Sequence, residues 1–133
     1  MKTTAKLYFI VIISIILGYM CTTVNAGTLD GKSFSGKTGM MGKNSKENDV
    51  IIFSNGQFSS SGCQEYGFSG APYQEKTEGD KVHFVADTYS EKYGRIIWTG
   101  TVDGDTADAT YVWFDKGEYK KPEQIKWFSG TLK

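Results

Sequence analysis

The chain has 133 residues, with 15 basic and 15 acidic side chains, one histidine and two cysteines. A balance this even excludes a dedicated nucleic-acid binder, because phosphate backbones demand a basic face. It also gives no grip on an anionic membrane surface. A lone histidine argues against zinc sites, which want clustered Cys and His.

Met1 to Ala26 reads as a secretory signal peptide. Lys2 and Lys6 make a short positive start, Leu7 to Leu17 is an almost unbroken apolar run, and Val24-Asn25-Ala26 offers small residues for cleavage. The apolar stretch is too short to span about 30 Å of hydrocarbon, which needs roughly 20 residues. Cleavage after Ala26 is expected, and with it a secreted or periplasmic location with no membrane span in the mature form. Without Lys2 and Lys6 the 15 basic residues become 13 against 15 acidic ones, a net charge of −2. Cys21 leaves with the leader, so Cys63 stands alone and no intramolecular disulfide can staple the domain. The aromatic content is high enough for a small domain to fold on core packing alone. Cys63 is read as a buried, inert apolar side chain, with an intermolecular bridge or a reactive thiol as the alternatives.

Gly27 to Lys133 reads as one all-β domain. Short runs of β-branched and aromatic residues alternate with turn signals, and helical apolar spacing never lasts beyond two turns. Thr28 to Gly36 is the first strand, with Phe34 its main apolar residue. Gly39 to Asn48 is a polar loop. Asp49 to Ser54 and Gln57 to Ser61 form a hairpin across Asn55-Gly56, a pair that tolerates the positive φ a two-residue turn requires. Gly62 to Ser69 is irregular. Ala71 to Glu78 pairs with Lys81 to Thr88 across Gly79-Asp80. Gly94 to Val102 pairs with Thr106 to Phe114 across Asp103-Gly104-Asp105. Gln124 to Lys133 is the last strand. Eight strands in meander order can close into an antiparallel up-and-down barrel, which removes exposed edges. Both end strands carry Phe-Ser-Gly, at Phe34-Ser35-Gly36 and Phe128-Ser129-Gly130, where a small residue lets neighbouring backbones approach. A β-sandwich is the alternative.

The opening Leu29-Asp30-Gly31-Lys32 and the closing Trp127-Phe128-Ser129-Gly130-Thr131-Leu132 resemble those of small lipocalin-like barrels. The stretches Cys63 to Tyr73 and Trp98 to Trp113 are similar to a group of short bacterial exported proteins whose function is not established. The lipocalin resemblance implies a cup for a small apolar ligand. A second resemblance is to bacterial periplasmic inhibitors of lysozyme. Ser69-Gly70-Ala71-Pro72-Tyr73 is similar to their Ser-Gly-x-x-Tyr motif, and Tyr111 to Gly117 to their Tyr-rich motif ending in Lys-Gly. In that family the two motifs adjoin, whereas here they lie far apart and the family's cysteines are missing. It implies a protein partner met by Ser69, Tyr73 and Lys116.

The residues themselves offer little for catalysis. His83 alternates with Val82 and Phe84 and reads as an exposed strand histidine. Nothing brings it to Cys63 for an activated thiolate. Asp103-Gly104-Asp105 with Asp108 lacks EF-hand spacing and reads as a hairpin turn. Gly36-Lys37-Thr38-Gly39 lacks the earlier glycine and following helix of a phosphate loop. No cofactor or metal is called for, and an enzyme is the least favoured class.

The aromatics are the richest feature. Trp98 shares a face with Ile96, Gly100 and Val102, and Tyr111 and Trp113 share one with Ala107 and Ala109. Trp98, Tyr111 and Trp113 are the candidate ligand-binding residues; such rows line a ligand cup or equally fill a small barrel solid, and the small Gly100, Ala107 and Ala109 would leave space at one end. The leading expectation is a non-enzymatic binder of a small apolar or amphipathic molecule. The alternatives are a protein-binding module, such as a periplasmic inhibitor of a cell-wall hydrolase, and a structural envelope protein.

Overall fold

The structure, a computed structural model, describes residues 27–44, 46–116 and 124–133. The expected leader, and Gly117 of the Lys-Gly motif, lie outside the described residues. The strands are β1 (Ser33–Met40), β2 (Glu47–Ser54), β3 (Gln57–Ser60), β4 (Ala71–Glu78), β5 (Lys81–Ser90), β6 (Gly94–Asp103), β7 (Thr106–Phe114) and β8 (Gln124–Leu132). One helical turn, α1 (Ser61–Gln64), follows β3. Each strand pairs antiparallel with the next, and β8 returns to β1, closing the barrel.

Closure depends on the two Phe-Ser-Gly segments. Gly36 on β1 lies opposite Gly130 on β8. A Cβ at Gly36 would stand 2.0 Å from the Ser129 carbonyl oxygen and 2.4 Å from the Gly130 Cα. No other residue permits that approach, so the glycines allow the seam to form. The weakest seam lies between β3 and β4, paired only at Phe58↔Ala71 and Gln57↔Pro72. Pro72 has no N–H to continue the ladder.

Period-two alternation sorts the side chains. Val82, Phe84, Ala86, Thr88 and Ser90 of β5 point inward and are buried. The inward residues of β6 and β7 are Ile96, Trp98, Val102, Ala107, Ala109 and Tyr111. Phe53 and Phe58 pack edge-on with centroids 5.3 Å apart, and Phe58 lies 5.0 Å from Trp98. These rings form a continuous core.

The two ends of the barrel differ. Asn55-Gly56, Gly79-Asp80 and Gly104-Asp105 turn tightly at one end, with Asn55 at φ 53° and Gly56 at φ 74°. Here the first expected strand is corrected. Thr28 to Lys32 do not extend but turn, with Asp30 N donating to Gly27 O at 3.2 Å and Lys32 N to Leu29 O at 3.0 Å. Leu29 is fully buried as a plug under this end. β1 therefore starts later, and it runs on through Met40 into what reads as polar loop. Thr38 and Gly39 gain ladder partners in Phe128 and Trp127 that their own polarity does not announce. The connections after β1, β3, β5 and β7 lie at the other end.

Tyr73 belongs to the plugged end. Its ring meets Phe53 edge-on at 5.0 Å, and its hydroxyl donates to Asp30 Oδ1 at 3.4 Å. Burial, then the negative charges of Asp30 and Glu75, push its phenol up to about 12.

Candidate functional site

The small residues on β6 and β7 do not leave the space expected of them. A Cβ at Gly100 would lie 2.4 Å from Phe84 Cζ, because the Phe84 ring fills the volume over this glycine. Phe128 Cζ would be 2.7 Å from a Cβ at Gly130. Small positions on some strands here make room for large rings from others, which is how a narrow barrel fills its taper. The plugged half is packed.

The cavity is at the opposite end. It has a volume of about 340 Å³ and runs from the barrel interior out between the longer loops. Its buried lining is mostly apolar: Ile96, Phe68 and Tyr111 are all buried, with Trp113 and Cys63 half-buried beside them, and the buried Thr38 and Asp49 add a polar part. The rim carries Glu47, Glu65 and Tyr66, all exposed.

Two of the three candidate aromatics line this cavity, Tyr111 and Trp113. Trp98 does not. It is fully buried behind Tyr111, its direct neighbour across β6 and β7, and stacks on that ring with centroids 3.8 Å apart and planes 14° apart. Tyr111 is held from the other side by a hydrogen bond between its hydroxyl and that of Thr38. Thr38 Oγ1 also donates to the Trp127 carbonyl at 2.8 Å. Burial above all pushes the Tyr111 phenol upward, so it stays neutral.

The rim is tied together by hydrogen bonds. Trp113 Nε1 donates to Tyr93 O at 2.7 Å, and Ser90 Oγ to Tyr66 O at 2.9 Å. The Tyr66 and Tyr93 rings meet edge-on at 5.8 Å. The connections before β4 and β6 are therefore fastened to each other and to β7.

The sequence reading missed Asp49. It is only 3% exposed, yet its carboxylate is saturated. Oδ1 accepts from Val50 N at 2.8 Å, Gly62 N at 2.8 Å and Ser61 Oγ at 3.1 Å. Oδ2 accepts from Ser60 Oγ at 2.6 Å. Ser60 Oγ in turn accepts from Cys63 N at 3.3 Å and caps α1. A buried carboxylate survives only with such partners. Asp49 thus staples to β2 the segment that brings Cys63, Glu65, Tyr66 and Phe68 to the pocket. The register of the Asn55-Gly56 hairpin was the available signal. With Ile51 opposite Ser60, position 49 must arrive beside Gly62.

Cys63 is free and half-buried in the pocket wall. Burial pushes its thiol up, and the Asp49 charge adds to this against the opposing pulls of Ser60 and Lys126. Thiolate is the reactive form. Labelling with iodoacetamide at neutral pH should be much slower for native protein than for urea-denatured protein. Equal rates would mean an accessible, activated thiol instead.

His83 lies on the outer wall, its side chain 42% exposed, between buried Val82 and Phe84. Nδ1 is 2.9 Å from Thr101 Oγ1, and Nε2 is 3.3 Å from Glu78 Oε2. Hydroxyl, imidazole and carboxylate are in line, but on a convex surface open to water. Cys63 is in the pocket at the other end, so the two do not pair.

Ser69, Tyr73 and Lys116 do not share a surface. Ser69 is exposed before β4, and Lys116 Nζ donates to Glu91 O at 2.8 Å, both at the pocket end. Tyr73 faces inward and is bound to Asp30. Among the described residues no group of three or more His, Cys, Asp or Glu could hold a metal ion, and no helix is long and apolar enough to cross a membrane. No known protein family, curated protein or solved structure matches the chain.

Proposed function

We propose that the protein is an exported, non-enzymatic barrel that binds one small apolar or amphipathic molecule in the pocket at its looped end. Export rests on the leader, and is read from whether the exported protein begins at Gly27. The cavity carries the binding reading. Its volume of about 340 Å³ falls within the roughly 300–1,000 Å³ of ligand sites. Its wall joins aromatic and aliphatic side chains to the buried polar Thr38 and Asp49, and its rim is polar and cross-tied. A barrel needing only stability would have no use for Ile96, Tyr111 and Trp113 beside an open volume. This fits the lipocalin-like resemblance of the two ends of the domain.

The direct test is titration with apolar and amphipathic probes, followed by tryptophan fluorescence and melting temperature. Trp113 should report occupancy, and the melting temperature should rise, since a ligand specific for the folded state stabilises it by about 2.7 kcal/mol at a hundredfold excess over Kd. A panel of chain-bearing probes that moves neither signal would overturn the reading. The protein-binding alternative would then lead, carried by Ser69 and Lys116 without Tyr73.

A further inference from the structure

The charges lining the pocket are unequal. Among the described residues the lining carries three carboxylates, Glu47, Asp49 and Glu65, and one ammonium, that of Lys126, with the Lys92 ammonium over the lining ring of Tyr93. Glu47 and Glu65 stand at the exposed rim, where a ligand can reach them. Asp49 is buried at 3% exposure, where water screens its charge poorly. At Cys63 its effect exceeds the opposite effect of Lys126, and at Tyr111 it acts with Glu47 in the same direction.

The rings point the same way. The face of a tyrosine or tryptophan attracts a cation, and quaternary ammonium groups are recognised in this manner. Two rings of this pocket already hold the protein's own ammonium groups. Lys126 Nζ lies 5.7 Å from the Tyr111 centroid, and Lys92 Nζ 5.3 Å from that of Tyr93. Lys126 comes to Tyr111 because the two are direct neighbours across β7 and β8. Tyr66 and Trp113 add two further rings to the lining.

Resting on the ligand-binding reading above, we infer that the occupant is an amphipathic organic cation. Its chain lies against Ile96, Phe68 and Trp113, and its positive head sits among Glu47, Glu65 and the tyrosine rings. Among the described residues, Lys126 of the lining and Lys92 over Tyr93 are the charges that oppose it. No covalent step is involved, so selectivity comes from electrostatics and ring faces alone.

The test compares decyltrimethylammonium, decanol and decanoate on the intact domain, each below its micelle concentration. Tryptophan fluorescence and protection of Cys63 from iodoacetamide are the readouts. The cation should bind about tenfold more tightly than decanoate, a difference of the size that ring faces and carboxylates supply. Added salt should narrow the gap. The double variant Glu47→Gln with Glu65→Gln changes two exposed side chains. It should weaken the cation severalfold and leave decanol unchanged, while Lys126→Met should tighten the cation. Decanoate binding best, and losing its affinity in Lys126→Met, would overturn the inference and make Lys126 an anion anchor. Equal binding of all three would overturn it too, while leaving the ligand-binding reading intact. Binding of none would remove both.

Discussion

Replacing Trp98 with alanine is expected to cost about 3–5 kcal/mol of stability, the range for a large aromatic removed from a packed core. The indole is fully buried between Phe58, at 5.0 Å, and Tyr111, at 3.8 Å. Neither neighbour can collapse into the space, because each is held on its own strand. The Tyr111 ring would lose its support, so the pocket floor should soften as well. Trp98→Phe should cost less. It keeps a ring in the stack and removes Nε1, a buried N–H with no partner among the described atoms. Urea unfolding of both variants measures this. A loss for Trp98→Ala below about 0.5 kcal/mol, the range of typical surface changes, would mean that Trp98 does not carry the floor.

The second large effect is expected on deleting Trp127 to Lys133. This removes most of β8, and with it the ladders that join β1 from Phe34 to Gly39 and β7 from Thr106 to Thr110. Phe128, 1% exposed, leaves the core at the same time. Two strand edges open, each a row of unpaired N–H and C=O groups. The truncated chain should show no cooperative melting and should aggregate. A soluble truncation with a sharp melting transition would contradict the closed barrel.

The fold was readable because its signals are local. Asn55-Gly56, Gly79-Asp80 and Asp103-Gly104-Asp105 mark hairpins whose register follows from turn geometry. Alternation along β5, β6 and β7 then assigns every side chain to one face. Even the closure had a trace in the paired Phe-Ser-Gly segments. The errors came where local polarity and tertiary position disagree. Leu29 sits among turn residues, yet it plugs the barrel. Gly39 and Met40 read as loop, yet they pair with Trp127 and Lys126 of β8.

The pocket was half readable. Tyr111 and Trp113 were found because they alternate on one face of β7, whereas Trp98, on the same inner surface, is covered by its stacked neighbour Tyr111. Periodicity gives a side chain's face but not which neighbour covers it. The space was sought beside Gly100, Ala107 and Ala109, because small residues suggest room. The Phe84 ring on the neighbouring strand takes that room. The other wall comes from Cys63, Glu65, Tyr66 and Phe68, a segment with no periodic signal, placed by a buried carboxylate on β2.

Ligand entry at the looped end, with the ligand resting on Tyr111, is tested most directly by NMR of the isotope-labelled domain titrated with a decyl-chain amphiphile. Contacts from the chain protons should appear to the Ile96 methyls and to the Tyr111 and Trp113 ring protons. Val82 and Phe84, in the packed half, should show none. Contacts confined to the outer wall, at exposed Ile125 and its neighbour Trp127, or no contacts at a saturating concentration, would contradict the account.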